Sequence, residues 1–300
     1  MSSAPVIAAM SHVALRVRDL DAAVQTVTTI MGMREVRRDH DWIYLTCNAA
    51  DHVVQYRADT VDAVDHLGLA AAGPEALAEV RARVSRGGLH VVSQAPLGIG
   101  FDDGIAFVGP DGFVYEVGIG MAADQSPYAP TGVKPTHLGH VNLHVPDVRR
   151  CVDFLQTVLD FRISDVIEGR GVFLRCGSEH HAIGVLEGRG VLHHHAWGVP
   201  GVGDLSRIGD IVDDLGGTLL WGPLRHGAGN NIAIYFAEPS GAVIEVYTEM
   251  EAILNEEVFS HRTWRNDDER WWSRWAKLRG AGFHDYGLPP ATLGNGRDGR

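Results

Sequence analysis

The sequence predicts an α+β fold of two tandem domains, each made of two βαβββ modules, followed by a C-terminal helical tail. Two observations lead to this prediction. The chain repeats itself, since the residues around His12 recur around His140, 128 positions later. Within each half, short stretches of alternating apolar residues, typical of strands, are interrupted by apolar residues at helical spacing. Self-similarity at a fixed offset indicates a duplicated structural unit.

The internal repeat consists of four pairs of segments in the same order, at offsets of 128 or 129 residues. The pairs are Ser11–Asp19 with Gly139–Asp147, Tyr44–Cys47 with Phe173–Cys176, Asp65–Leu69 with His193–Trp197, and Gly109–Val117 with Glu238–Val246. The repeat predicts a first domain over residues 1–122, a proline-containing linker over 123–135, a second domain over 136–250 and a tail over 251–300.

The elements of the second domain follow from its hydropathy pattern. Residues 140–145 alternate and predict a strand, and the apolar spacing after residue 150 predicts an amphipathic helix. Further strands are predicted at 171–175, 181–186, 194–199, 232–236 and 242–247, with a second helix at 205–215. The tail is rich in tryptophan and charge. We expect it to be an amphipathic helix, packed on the domain or on another subunit, with no part in chemistry.

Composition excludes several classes of protein. The 300 residues include 26 Lys and Arg against 38 Asp and Glu, and this net charge of −12 disfavours a nucleic-acid partner. No apolar stretch reaches the roughly 18 residues of a membrane span, and the first ten residues do not resemble a secretion signal. We therefore expect a soluble, cytoplasmic protein. Cys47, Cys151 and Cys176 form no CxxC pair and are expected to be buried thiols.

The 16 histidines are the unusual feature of the composition, because histidine is the commonest metal ligand. His140, His194 and Glu245 lie on predicted strands at equivalent points of successive repeats. Two imidazoles and one carboxylate can hold a divalent iron and leave positions open for a substrate and O2. The first domain keeps equivalent residues, namely His12, His66 and Glu116, and it places His52 opposite His181.

Several motifs carry a resemblance to a known family. They are Leu138-Gly139-His140, Leu192-His193-His194, Gly222-Pro223-Leu224-Arg225-His226-Gly227, Ile234-Tyr235, and Pro239-Ser240-Gly241 leading to Glu245. With these motifs, residues 8–250 resemble the two-domain type I extradiol ring-cleavage dioxygenases of the vicinal oxygen chelate superfamily, in a pattern most similar to catechol 2,3-dioxygenases. The resemblance implies two tandem vicinal-oxygen-chelate domains, of which only the second is catalytic.

The resemblance also implies a chemistry. It implies that His140, His194 and Glu245 bind Fe(II), with Mn(II) as the alternative, and that O2 is the co-substrate. It implies catalytic roles for three further residues, His181, His226 and Tyr235. The implied reaction cleaves a catechol ring beside one hydroxyl to give a muconic semialdehyde, a step of aromatic catabolism. The implied assembly is a homo-oligomer, of which a tetramer is one form.

The triplet His193-His194-His195 offers three candidate ligands, and alignment with the strand of His140 selects His194. Strand alternation then predicts that His193 and His195 face the opposite side. His137 is expected to be an exposed linker residue. The candidates for the substrate pocket wall are Phe173, Trp197, Trp221, Ile234 and His144.

The equivalent residues of the first domain are predicted to be the relic of a site. Ala106 matches Tyr235, and Leu97 matches His226, so the groups needed for oxygen chemistry are missing. His12, His66 and Glu116 would then serve packing only. A count of two metal ions per chain would contradict this interpretation.

Two other classes of protein stay open. A non-oxidative metal-dependent member of the superfamily, such as an isomerase or a lyase of glutathione adducts, usually supplies a further carboxylate as base. A resistance protein that sequesters an aromatic drug would leave the metal-type residues and Tyr235 without a role. The sequence does not choose among plain and substituted catechols.

Overall fold

A computed structural model of the chain describes residues 5–39, 41–124, 132–275, 280 and 282–293. In these residues the order βαβββ occurs four times, followed by a short strand and two 3-10 turns. The strands form two sheets, one of eight strands and one of nine. The predicted fold of two tandem α+β units is confirmed. Most of the predicted linker, residues 125–131, lies outside the described residues.

The first sheet has the strand order β2-β3-β4-β1-β5-β8-β7-β6. Its strands are β1 (Ile7–Val17), β2 (Arg34–Asp39), β3 (Trp42–Thr46), β4 (Val54–Ala58), β5 (Ala63–Ala71), β6 (Val91–Ser93), β7 (Asp103–Val108) and β8 (Val114–Ile119). Two helices pack on this sheet, α1 (Leu20–Thr29) against β4 and α2 (Pro74–Arg86) against β5, β7 and β8.

The second sheet repeats this arrangement and adds one strand, in the order β14-β15-β16-β13-β9-β12-β11-β10-β17. Its strands are β9 (His137–Val145), β10 (Arg162–Ile167), β11 (Gly171–Arg175), β12 (Ile183–Glu187), β13 (Val191–Gly198), β14 (Leu219–Arg225), β15 (Ile232–Ala237), β16 (Val243–Thr248) and β17 (Arg262–Trp264). Its helices are α3 (Val148–Thr157) and α4 (Val202–Asp214). The strands β16, β13 and β9 are therefore neighbours at the centre of the sheet.

Both domains begin with the same connection from strand to helix. The carboxylate of Asp19 accepts a hydrogen bond from the backbone N–H of Ala22 at 3.0 Å, and Asp147 accepts one from Arg150 at 2.9 Å. An aspartate at this position satisfies an N–H that has no partner within the helix. The aspartate that recurs in the sequence repeat is thus the N-cap of α1 and of α3.

One apolar core extends through both domains. Helix α3 brings Phe154 against Phe107 and Tyr115 of the first domain, with ring centroids 6.2 and 5.2 Å away. Tyr56 of the first domain donates a buried hydrogen bond to Glu238 of the second. These contacts fix one domain against the other. The three cysteines are buried free thiols, as expected.

Besides the tail strand β17, two strands of the second sheet are not predicted by the hydropathy pattern. Ser164 and Asp165 interrupt the apolar residues of β10, yet both are fully buried. Asp165 is satisfied by the tail, because Arg262 Nε and Trp264 Nε1 donate to its carboxylate at 3.0 and 2.7 Å. Strand β14 contains glycine and proline, which are poor strand formers. Strand β10 forms because residues of the tail hydrogen-bond to Asp165, and β14 forms because it pairs with β15.

The described part of the tail does not form the predicted amphipathic α-helix. Strand β17 instead pairs in parallel with β10, and single 3-10 turns form at Glu269–Trp271 and Phe283–Asp285. The tail then returns to the first domain, where the N–H of Ala291 donates to the carbonyl of Val64 at 2.7 Å. Residues 276–279, 281 and 294–300 lie outside the described residues. In the described part of the chain, no helix is long and apolar enough to cross a lipid bilayer.

Candidate active site

Three adjacent strands at the centre of the second sheet bring His140, His194 and Glu245 together. Ala196 of β13 stands opposite His140 on one side and opposite Glu245 on the other. The Nε2 atoms of His140 and His194 each lie 3.1 Å from Glu245 Oε2. All three side chains are buried. We call this group the second centre, because it belongs to the second domain.

A chain of hydrogen bonds fixes the tautomer of His194. The carbonyl oxygen of Phe283 lies 2.8 Å from His193 Nε2, and because a carbonyl only accepts, His193 Nε2 carries the proton. His193 Nδ1 then accepts from His194 Nδ1 at 2.8 Å, which leaves a lone pair on His194 Nε2. Burial lowers the pKa of both rings and keeps them neutral at pH 7. This lone pair faces a carboxylate oxygen, so the contact calls for a cation between them.

Glu245 is held as a carboxylate. Burial opposes its ionisation, but His140, whose Nε2 lies 3.1 Å away, lowers the pKa of Glu245 well below the usual value. The side-chain amide of Asn231 donates to Glu245 Oε1 at 3.0 Å and so directs Oε2 toward the imidazoles. Two imidazole nitrogens and one carboxylate oxygen that converge on one point fit a divalent metal ion of the iron, manganese or zinc type.

His181 lies beside the second centre, with its ring centroid 4.2 Å from that of His140. Its Nδ1 lies 3.0 Å from Nδ1 of His180, whose Nε2 lies 3.4 Å from the carboxylate of Asp165. The carboxylate favours a proton on His180 Nε2, so His180 Nδ1 accepts and His181 Nδ1 donates. Burial lowers the pKa of His181 well below its usual value. The neutral ring therefore keeps a lone pair on Nε2.

His226 and Tyr235 form a hydrogen-bonded pair in the same site, which we call the polar pair. His226 Nδ1 donates to the carbonyl of Trp272 at 2.6 Å, so its Nε2 accepts from the hydroxyl of Tyr235 at 2.7 Å. Burial lowers the pKa of His226 to about 4, which keeps the ring neutral. Because the hydroxyl of Tyr235 donates its own proton to His226, its oxygen is the atom of the pair that can accept a proton from a ligand.

A cavity with about 600 Å³ of space, partly continuous with solvent, opens beside the second centre. Its wall contains all six residues to which the sequence assigned metal binding or catalysis. Aromatic and polar residues complete the wall, among them Asn142, His144, Arg170, Phe173, Trp221, Trp271, Trp272, Phe283 and His284. Three of the predicted pocket residues, Phe173, Trp221 and His144, therefore line the cavity.

The prediction that Trp197 and Ile234 line the pocket is wrong. Trp197 is fully buried in the core, where its indole N–H donates to His195 Nδ1 at 2.8 Å. Ile234 immediately precedes Tyr235 on β15, so strand alternation turns the two side chains to opposite faces. Both residues support the site from behind the sheet.

Two further expectations about histidines need correction. Strand β13 has an irregular register between Leu192 and His194, and this bulge leaves His193 in the cavity wall rather than on the opposite face. His195 faces the core, as alternation predicts. His137 begins β9 instead of lying in a linker, and its Nε2 is 3.1 Å from Glu179 Oε2.

Sequence reasoning missed several residues of the site. Asn231 and His180 orient Glu245 and His181, and neither belongs to the repeat that revealed the ligands. The tail contributes the carbonyls of Phe283 and Trp272, which set the tautomers of His193 and His226. The tail, expected only to pack on the domain or on another subunit, thus also forms part of the cavity wall. Its tryptophan content was the one available signal.

The first domain contains a matching group, His12, His66 and Glu116, which we call the first centre. His12 Nε2 lies 3.1 Å and His66 Nε2 3.3 Å from Glu116 Oε2, and the two nitrogens are 3.0 Å apart. The backbone N–H of Leu97 donates to Glu116 Oε1 at 2.6 Å. Burial lowers the pKa of His66, but hydrogen bonds to Asp65 and Glu116 outweigh it and raise the pKa to about 9.

The surroundings of the two centres differ as the repeat predicts. Ala106 stands opposite Glu116 in the first sheet, in the register where Tyr235 stands opposite Glu245 in the second. Leu97 offers a backbone N–H and no titratable side chain. The first centre therefore lacks the polar pair of the second.

Residues 137–246 match the family model described as the Glyoxalase/Bleomycin resistance protein/Dioxygenase superfamily. The second domain belongs to this superfamily. Its motifs and its module order agree with the resemblance stated from the sequence. The superfamily includes dioxygenases, isomerases of the glyoxalase type and drug-binding proteins, so the residues of the site must decide among activities.

Named relatives of the chain include dioxygenases. It is 29% identical to metapyrocatechase 2 of Cupriavidus necator over 177 residues, which cover 51% of the chain and 55% of that protein. It is 26% identical to the manganese-dependent 2,3-dihydroxybiphenyl 1,2-dioxygenase of Geobacillus genomosp. 3, over 81% of the chain and 85% of the relative. The chain thus spans about half of the first relative and most of the second.

The likeness to solved structures covers almost the whole chain. The Mn(II)-bound glyoxalase of Novosphingobium aromaticivorans is 29% identical, with a TM-score of 0.87 and coverage of 97% of each chain. Two of these three similar proteins are thus described with manganese.

Proposed function

We propose that the chain is an extradiol dioxygenase. It binds a catechol-type substrate at a divalent metal held by His140, His194 and Glu245, and uses O2 to cleave the ring beside one hydroxyl. The product is of the muconic semialdehyde type. The observation that carries this proposal is the convergence of two imidazole nitrogens and a carboxylate oxygen beside a cavity that also holds two separate proton-handling groups.

The metal is Fe(II) in this proposal, with Mn(II) as the alternative, because both ions accept two imidazoles and one carboxylate. When bound, it would lower the pKa of the substrate hydroxyls and offer open positions for two oxygens and O2. Neighbouring residues of the chain keep the three metal-binding side chains in the required orientation. His193 keeps the lone pair of His194 on Nε2, and Asn231 keeps Oε2 of Glu245 toward the imidazoles.

His181 is the general base in this proposal. Its Nδ1 donates to His180, so Nε2 is the atom that can take a proton from a substrate hydroxyl. The same nitrogen, once protonated, can return that proton to an oxygen of the product. The carboxylate of Asp165 stabilises the chain of imidazoles from behind.

Tyr235 and His226 handle the proton at the other hydroxyl. The tyrosine already donates to the neutral His226, so its oxygen can accept a proton from the substrate while its own proton moves to His226 Nε2. The pair therefore relays one proton without creating a buried tyrosinate. The carbonyl of Trp272 stabilises the imidazolium that results.

Aromatic walls orient the ring and exclude water. Trp221 stacks on Tyr235 at 5.3 Å between ring centroids, and Phe283 contacts both rings at 5.4 Å. Phe173 lies 4.8 Å from His181 on the other side. A flat aromatic substrate fits such a wall better than a flexible polar one.

A second candidate is a metal-dependent isomerase without O2, favoured by the likeness to the Mn(II)-bound glyoxalase. Such an enzyme needs a base of its own beside the metal, usually a carboxylate. Among the described residues of the cavity wall the only carboxylate is Glu245, which the imidazoles and Asn231 already engage. A drug-binding protein would need none of the converging lone pairs. The residues therefore favour the dioxygenase.

The test is oxygen uptake by the full chain, loaded anaerobically with ferrous iron and then mixed with a panel of catechols in air. We expect one O2 consumed per catechol, together with a yellow ring-opened product, and no uptake by His194→Ala. The matched control is His261→Ala, which removes an exposed histidine in the tail. Absence of uptake with every catechol, together with isomerisation of a glutathione hemithioacetal, would show that the second candidate is correct.

A further inference from the structure

The first centre has the geometry of a metal site although it lacks the polar pair used for oxygen chemistry. Its three ligand-type atoms lie 3.0, 3.1 and 3.3 Å from one another. An octahedral face built from bonds of about 2.1 Å has edges of about 3.0 Å, and a tetrahedral one has edges of about 3.4 Å. The observed distances therefore match those around one bound ion.

Hydrogen bonds set the tautomer of His66 for metal binding. His66 Nδ1 donates to Asp65 Oδ1 at 2.8 Å, and Asp65 is itself held by Arg16 Nε at 2.7 Å. The other ring nitrogen, Nε2, lies 3.3 Å from Glu116 Oε2, and a metal ion that displaces the proton between them would bind the Nε2 lone pair. A carboxylate behind a ligating histidine is the usual support of a metal-bound imidazole.

The other two atoms are oriented in the same way. His12 Nδ1 lies 3.2 Å from the hydroxyl oxygen of Ser11, which can accept its proton and leave the lone pair on Nε2. The N–H of Leu97 engages Glu116 Oε1 and leaves Oε2 for the imidazoles. The three atoms thus converge in a buried place, where a divalent cation can replace the proton of His66 and bind all three.

A separate observation also points to a ligand. His52 is fully buried, its ring centroid lies 4.7 Å from that of His12, and its Nε2 has no hydrogen-bond partner in the described part of the chain. The side-chain amide of Gln55 lies 3.2 Å from His66 Nε2, where rotation of the amide would present its oxygen to an ion. Gly184 stands at the equivalent position of the second domain, where the side chains of Asn142 and Phe173 occupy the adjacent space.

We propose that the first domain binds a divalent transition-metal ion through His12 Nε2, His66 Nε2 and Glu116 Oε2, in a closed site that stabilises the domain and carries out no reaction. The first centre would then have lost the groups needed for catalysis but kept its ability to bind a metal ion. Phe101 lies 5.6 Å from His12 and Trp42 6.5 Å from His66, between ring centroids, and these rings shield the site from a substrate. The inference does not rest on the proposed dioxygenase activity.

The test is a metal count on the full chain, stripped with a chelator, reloaded with zinc chloride and desalted. We expect two zinc ions per wild-type chain, one in His66→Ala, one in His194→Ala and none in the double variant. The control His261→Ala should keep two. One zinc in the wild type and none in His194→Ala would overturn the proposal.

A melting experiment keeps the test decisive if His66→Ala does not fold. Zinc added to the stripped His194→Ala variant should raise its melting temperature, because binding to the folded state alone stabilises it. Zinc added to the variant that carries both His194→Ala and Glu116→Gln should not raise the melting temperature, since the glutamine amide replaces the anionic carboxylate ligand. Equal shifts in the two proteins would contradict a metal at the first centre.

Discussion

The two centres share a scaffold and differ in their surroundings. Each places two histidines and one glutamate on the three central strands of its sheet, and each fixes one glutamate oxygen with an N–H donor. Each centre has a further imidazole beside its first histidine, His52 or His181, but among the described residues the second centre alone adds a tyrosine with its histidine and the cavity described above. Ligand geometry is thus a property of the repeated strands, whereas reactivity depends on the residues around them.

The residues that distinguish the second centre from the first are few. Tyr235 stands where the first domain has Ala106, and Gly184 stands where it has Gln55. The tail then supplies the carbonyl of Trp272 to His226. Because the tail occurs once, it can complete only one of the two centres.

The largest expected effect comes from removing the glutamate of each centre in turn. Glu245→Gln should lower ring cleavage by at least about 10³-fold, since loss of the metal forfeits several kcal/mol of charge stabilisation. Glu116→Gln should lower it by less than about threefold, through the folded fraction alone. Steady-state oxygen uptake, corrected for folded protein by circular dichroism, measures both. Comparable losses in the two variants would break the distinction between the centres.

The next largest effect on turnover is expected at His181, and its first-domain counterpart His52 provides the comparison. Loss of a general base costs roughly 10² to 10⁴-fold in turnover, which is the loss expected for His181→Gln. The substitution His52→Gln should leave most of the turnover, because no substrate reaches the first centre. Turnover rates at saturating catechol, measured together with the number of bound metal ions per chain, test this prediction. A His181→Gln enzyme with normal turnover would remove this residue from the mechanism.

A smaller effect concerns the residues behind the ligands. Asp65→Asn should weaken metal binding at the first centre by about 10 to 100-fold, and His193→Gln should do the same at the second. Competition with a fluorescent zinc chelator measures each affinity separately when the other centre is disabled. If either substitution weakened both centres equally, the supports would not be local to one centre.

The smallest effect is on the acid stability of the metal-free protein. Burial lowers the pKa of His195 to about 3, so below pH 6.5 the unfolded chain binds a proton that the folded chain does not. The stabilisation is complete above pH 6.5 and falls by about 1.4 kcal/mol per pH unit as the pH drops toward 3. His66 behaves oppositely, since its raised pKa of about 9 gives stability that is present below pH 6.5 and lost as the pH rises through 9.

Calorimetric unfolding of the stripped protein between pH 5 and pH 7 checks this sign. His195→Gln, whose amide can still accept from Trp197, should show a shallower loss of melting temperature on acidification than the wild type. Identical slopes for the two proteins would mean that His195 is protonated in the folded state.

The sequence predicts that each group of two histidines and one glutamate comes together, because these residues lie on regular strands that recur at one offset. It mispredicts His193 because a bulge in β13 breaks the alternation that the argument assumes. It misses β10 because Asp165 is polar and buried, which only its partners in the tail explain. The sequence also does not predict the contact between the tail and the cavity. That contact joins residues about 90 positions apart, such as His193 and Phe283.

The central claim is that the second centre inserts both atoms of O2 into a catechol. The most direct measurement is mass spectrometry of the product formed under ¹⁸O₂ by the iron-loaded chain, with the product trapped before exchange with water. We predict two labelled oxygens in each ring-opened product and no product from Glu245→Gln. A product with no label or with a single labelled oxygen would contradict the account.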